Sequence, residues 1–375
     1  DAETIEITLE PPSLIFIRRI AGLPLVAPLP LHVFNAAGDG WVKPGVMVTN
    51  GPYVLADWTP QDNVRLVKNP RYWDAEHVAI DEVIYFPTAD ENAALKQIRN
   101  GELDLNLGFP TGQYEWLKAN MPGVARLEPA STVTFLALNH TNEKFKDARV
   151  RRALSLAIDR EMLCERVLAT GQIPGYSFAP TIAAGWAPPP EDDFSATPLT
   201  ERQEEAKKLL AEAGYGPGNP LTFRLDYRAG DANKRVIVAV AAMWARIGVR
   251  ADVQANEVKV HYAKLREGDF EVGDAGWQGS PEPEFFTNLL LTNSETNYGK
   301  YSNPEFDRLA QQAMTELDAG RRLKAFQDAD RIAMGETAMI VLFYGTHRNL
   351  VQPWVKGYQG NPVRQHPTRF LSIER

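Results

Sequence analysis

Apolar residues recur along this chain at two spacings, and the switches between them outline its architecture. Alternating runs predict strands at Thr4–Leu9, at Tyr53 and Leu55 answered across a PQDN turn by Val64 and Leu66, and at residues 80–87 and 103–107. Further strands are predicted at TVTFLALNH (132–140), LTFRLDY, VRADVQA, the Phe270–Val272 run that reaches Trp277, and MIVLFYGTH, the last apolar strand. Helical spacing fills the gaps. Thr88 with Glu91 forms a capping box for a helix through Arg99, with Leu95 and Ile98 inward and Asn100-Gly101 ending it. Asp147 caps VRRALSLAI, Asp159 starts a piece through Val167, and Thr200 with Gln203 opens a helix with Ala206, Leu209, Leu210 and Ala213 on one side. Val236, Val240, Met243, Trp244 and Ile247 make a stripe on the helix after LTFRLDY. Ser302 and Glu305 box a helix that Pro304 begins, and another runs over residues 320–334.

Strands alternating with helices define an α/β protein. Residues 139–340 form one α/β lobe, and residues 1–138 with 341–375 share a discontinuous first lobe. The chain would then cross between lobes twice, at LALNH and at LFYGTH, as a hinge does. Residues 14–34 are apolar but broken by Pro24, Pro28 and Pro30, and residues 172–198 read as a long surface excursion anchored by Tyr176, Phe178 and Trp186.

Composition narrows the function. The 375 residues are 44% hydrophobic and carry a formal charge of -8 with no compact basic tract, which argues against a nucleic-acid partner. No apolar run reaches membrane-spanning length. Cys164 stands alone, which excludes an internal disulfide framework and a cysteine metal site. The opening DAETIEITLE has no initiator methionine and no basic, apolar leader, and reads as a chain entered partway through a fold.

The stretch Glu271–Leu309 concentrates the candidate chemistry. Its strand stops at Gly276 and Trp277 and opens into a loop containing Ser280, Pro281 and Pro283, the make-up of a small-molecule cleft or of a simple connection. Trp277, Phe285, Phe286, Phe135 and Tyr344 sit at strand ends or loop starts, as core or as pocket walls. Glu282 and Glu284 are the best carboxylate pair, either an acid and base flanking a substrate or a rim and salt bridge. There is no GxGxxG, Walker loop, HExxH or GxSxG, and the six histidines are scattered without ligand spacing.

NGPYVLADWTPQDNVRLVKNPRYW, NGELDL, FLALNHTNEKFKDARVRRALSLAIDRE, AGWQGSPEPEFF and YSNPEFDRL together resemble, in that order, the extracytoplasmic solute-binding proteins of peptide and nickel ABC transporters, the oligopeptide- and dipeptide-binding type. The resemblance implies a two-lobed periplasmic-binding-protein type II-like fold. It further implies a receptor in the periplasm or lipid-anchored outside the membrane, which takes a peptide or peptide-like solute, has no cofactor or catalytic step, and delivers to an inner-membrane permease. Alternatives are a non-peptide solute (opine, sugar, nickel chelate or other small molecule) or a hydrolase using Glu282 and Glu284. A peripheral domain and the first part of the discontinuous lobe would precede Asp1, or be a separate chain. In this family the ligand backbone is clamped by strand-like pairing, and an aspartate in the loop after AGW holds its amino terminus. Here Ser280 is nearest that aspartate, with Glu282 close by, and a neutral serine lacks its charge. Asp274 stands where a basic residue would receive the ligand's carboxylate, which it would repel. Trp277 carries over as a pocket wall, and Phe135, Asn139 and Tyr344 carry over by location.

Overall fold

The computed structural model describes residues 4–22, 27–183, 186–187 and 194–375. The chain divides into two units, Asp1–Ile17 with Pro129–Thr346, and Arg18–Glu128 with His347–Arg375. The chain passes between them at 17/18, at 128/129 within β5 (Ala125–Leu138) and at 346/347 within β10 (Met339–Val351), whereas the pattern places two crossings, at 138/139 and 340/341.

The larger unit is built on a sheet of order β10-β5-β9-β7-β8, with β7 (Thr222–Arg228), β8 (Arg250–Asn256) and β9 (Val272–Gln278), and with β6 (Ile173–Pro174) paired to β10. β7 runs parallel to β8 and β9, while β5 and β9 are antiparallel. Alternation sorts β5 onto two cores. Val133, Phe135 and Ala137 face one cluster, with Phe306, Ala310 and Ala313 of the helix Pro304–Thr315 and Phe326 and Ala329 of Ala319–Gly335. Leu136 and Leu138 face the other, with Val236, Val240, Met243 and Trp244 of the helix Asp231–Ala245. Trp244 is fully buried because its one polar atom is satisfied, Nε1 donating to the Leu154 carbonyl at 2.9 Å. β10 follows the same alternation through Ile340 and Leu342, then slips by one residue, so Tyr344 returns to the first face where β6 joins the sheet.

The smaller unit contains the antiparallel meander β1 (Tyr53–Thr59), β2 (Asn63–Lys68) and β3 (Glu82–Tyr85). Its core gathers Leu95 and Ile98 of the helix Glu91–Asn100 with Phe109, Leu117, Val124 and Leu350. β4 (Leu105–Asn106) pairs with the far end of β10, and β11 (Val355–Lys356) pairs with β12 (Ser372–Ile373).

Several expectations are corrected. Residues 4–9 form no strand: Ile5 and Ile7 are exposed, and alternation without a pairing neighbour does not make a sheet. Asp90, not Thr88, caps the helix Glu91–Asn100, accepting from the Asn92 and Ala93 amides. Asn303, not Ser302, caps Pro304–Thr315, accepting from Glu305 and Phe306, and the helix Leu199–Glu212 begins with no side-chain cap. The strand predicted at 103–107 is reduced to residues 105–106.

Candidate functional site

The candidate site is the outer edge of β9. Asn139 donates its amide to Glu271 and Gly279 donates to Ser131, so alternate residues of β9, Gly273, Ala275 and Trp277, exchange main-chain bonds with β5. Asp274, Gly276 and Gln278 therefore direct theirs to the opposite edge. β7 covers that edge only at Val272 and Gly273. Beyond Gly273 the edge is met by side chains.

Asp274 is 2% exposed and accepts three bonds from Arg228: the backbone amide at 2.7 Å, Nε at 2.9 Å and Nη2 at 2.7 Å. Burial pulls the Arg228 guanidinium down, but the Asp274 carboxylate and the Tyr262 hydroxyl outweigh it and leave it raised. Asp274 thus presents a neutralised pair rather than a bare anion, and the repulsion of a ligand carboxylate expected from it is offset by the arginine. The guanidinium lies over Gly276, where a Cβ would come within 2.9 Å of Nη1. His261 Nε2 meets the Asp274 carbonyl at 2.6 Å, and the Tyr262 hydroxyl meets both main-chain groups of Gly276.

Trp277 is half-buried, packed on the cluster that includes Val133 and Phe135, with its buried indole N–H lacking a partner among the described residues. Glu282 and Glu284 are buried, and Glu284 forms an ion pair with Arg322 of the helix Ala319–Gly335. Glu284 is thereby held as a structural anion, not as one of an open acid and base pair. Ser280 is half-buried in the same loop. Phe135 is buried in the core. The Asn139 side chain donates to the Gly268 and Phe270 carbonyls and accepts from the Thr141 amide, and the Tyr344 hydroxyl bonds the Ser177 amide and carbonyl. These last three side chains are spent inside the unit, so only Trp277, Ser280, Glu282 and Asp274 gather on β9 and its following loop.

Sequence reasoning missed Arg228, His261 and Tyr262. Arg228 closes β7 as an outward charge would, and the histidine and tyrosine sit on the helix Val258–Glu267 with no motif spacing to β9.

The family profile described as bacterial extracellular solute-binding proteins, family 5 Middle, matches residues 1–298. The chain is 34% identical over 363 residues to the periplasmic oligopeptide-binding protein OppA of Salmonella typhimurium, covering 96% of this chain and 66% of that protein. The probable deoxycholate-binding periplasmic protein YgiS of Escherichia coli is 32% identical, with 96% of this chain and 66% of that protein covered. The chain thus spans slightly less than two thirds of the length of these relatives. The solved Escherichia coli murein tripeptide binding protein MppA superposes with a TM-score of 0.74 at 33% identity, over 92% of this chain and 68% of that one. An unliganded open form of MppA reaches 0.82 at 32% identity, over 92% and 67%. The chain belongs to the family 5 bacterial extracellular solute-binding proteins. It has their two-lobed α/β fold.

Proposed function

We propose that this chain captures an oligopeptide or peptide-like solute in the periplasm and delivers it to an ABC transporter permease, without a catalytic step. The observation that carries this is β9, a strand whose outer main-chain edge runs past the end of its pairing with β7 beside a half-buried tryptophan. Such an edge recognises a peptide through its backbone, by strand addition, and so tolerates varied side chains. The relatives named for oligopeptides and murein peptides support a peptide ligand. Trp277, Ser280 and Glu282 would line the site, Trp277 as a rigid apolar wall, and the Arg228–Asp274 pair would close its inner end. Attachment by a lipid anchor, and a separate chain supplying a peripheral domain, are finer possibilities of the same receptor.

A second solute class is favoured by one observation, the 32% identity to a probable deoxycholate-binding protein. Native mass spectrometry of gently purified protein, with denaturation to identify what is released, separates the two. A released peptide is the expected result. A released steroid acid, with no retention of any member of a mixed short-peptide library, overturns the peptide proposal. Trp277→Ala is expected to weaken peptide binding about tenfold or more by calorimetry while leaving far-UV circular dichroism unchanged; unaltered affinity removes Trp277 from the site.

A further inference from the structure

We infer that Tyr262 is a built-in occupant of the β9 edge, a cap whose hydroxyl a bound ligand strand has to displace from Gly276. The inference rests on the proposal that a peptide pairs with this strand. A residue on a true neighbouring strand would donate to and accept from one residue of β9 at once. The Tyr262 hydroxyl does the same with a single atom. It donates to the Gly276 carbonyl at 3.2 Å and accepts from the Gly276 amide at 3.3 Å, while Arg228 Nη1 donates to it at 3.2 Å. Its one proton and both lone pairs are then in use.

The cap satisfies the edge without matching a strand. All three contacts lie at or beyond the long end of the hydrogen-bond range, whereas main-chain pairs cluster near about 2.9–3.0 Å. A ligand backbone that reached Gly276 would exchange two long bonds for two of ordinary length. The rest of the tyrosine is held independently of the hydroxyl: its ring meets Tyr298 at 5.8 Å and His261 at 5.7 Å between centroids, with the Arg228 guanidinium 5.8 Å away. Removing the oxygen alone therefore uncovers Gly276 without dismantling the wall. At Gly276 a Cβ would come within 2.9 Å of Arg228 Nη1, so glycine lets the guanidinium lie close over this part of the strand beside the edge that Tyr262 occupies. In this arrangement the hydroxyl sets both affinity and register. Ligands that cannot displace it are confined to Gln278 and beyond.

The test is Tyr262→Phe with trialanine, whose small side chains leave main-chain pairing dominant, and with trialanine N-methylated at its central amide. Calorimetry is expected to show trialanine binding about five- to tenfold tighter to the variant than to the wild type, with the gain abolished for the methylated peptide. Equal or weaker binding by the variant overturns the cap. Amide exchange of ligand-free protein gives a second measurement that needs no peptide. The Gly276 amide is expected to be protected in the wild type and to exchange faster in Tyr262→Phe, and equal exchange overturns the inference. If neither protein binds trialanine or any library peptide, the peptide proposal has failed and displacement by a ligand falls with it, whatever the exchange shows.

Discussion

Replacing Asp274 by alanine should be among the most damaging single changes in the larger unit. The carboxylate is 2% exposed and its partner, the Arg228 side chain, is 19% exposed, so neither charge is bathed in solvent. Alanine leaves a guanidinium without its counter-charge and the Arg228 amide without an acceptor. Breaking a buried pair from one side costs about 3–5 kcal/mol. Asparagine keeps an oxygen for the amide and loses the charge-assisted fork, which places it at about 1.5–3 kcal/mol. Arg228→Met with Asp274→Leu removes both charges and should recover the part of the loss that comes from the unpaired guanidinium, leaving the cost of the Arg228 amide without its acceptor. Urea unfolding followed by tryptophan fluorescence reads the size, and amide exchange in β9 assigns the transition to this unit. A cost below about 1 kcal/mol for alanine, or a double variant no more stable than the single one, refutes the reasoning.

Two further outcomes follow from the same sheet. Burial first, and then the charge of Arg151, holds the His140 imidazole down at about 4 from 6.5, while Nε2 bonds the Ala338 carbonyl. The unfolded chain then takes up the proton first, so His140's contribution is intact above about pH 6.5 and is lost as pH falls towards about 4, by about 2–3 kcal/mol after allowing for its partial exposure. His140→Gln should flatten the urea stability profile across that window, and an unchanged slope rejects the assignment. Gly345→Ala would set a Cβ 2.1 Å from Thr132 Oγ1, between β10 and β5, and should lower stability by about 1–3 kcal/mol. Thr132→Ala in the same chain should restore part of it, and no rescue in thermal unfolding would exclude this contact as the cause.

Periodicity was a sound guide wherever an element had a neighbour to bury against. The helix Asp231–Ala245 and strands β7, β8 and β9 lie close to where their apolar stripes put them. It fails at residues 4–9, where alternation has nothing to pair with, and at two helix starts, where Asp90 and Asn303 stand nearer the first turn than Thr88 and Ser302. Pro129 hid the first half of β5, since it lacks the donor a ladder uses. Trp277 was legible as an aromatic residue at a strand end. Arg228 and Tyr262 were not, because they reach β9 from 46 and 14 residues away and share no spacing that chemistry requires. The charge of Asp274 was legible while its meaning was not, since a carboxylate on a page does not reveal the guanidinium folded onto it.

The position of β10 constrains how this protein is made. Residues 339–346 complete the sheet beside β5 in one unit, and residues 347–351 bring Leu350 to the core of the other. Both bodies therefore await a single late segment on the ribosome, and until it emerges Phe135 and Leu136 on one side and Ile98 and Phe109 on the other lack their last partners. A stall upstream of Met339 would leave two incomplete cores at once rather than one.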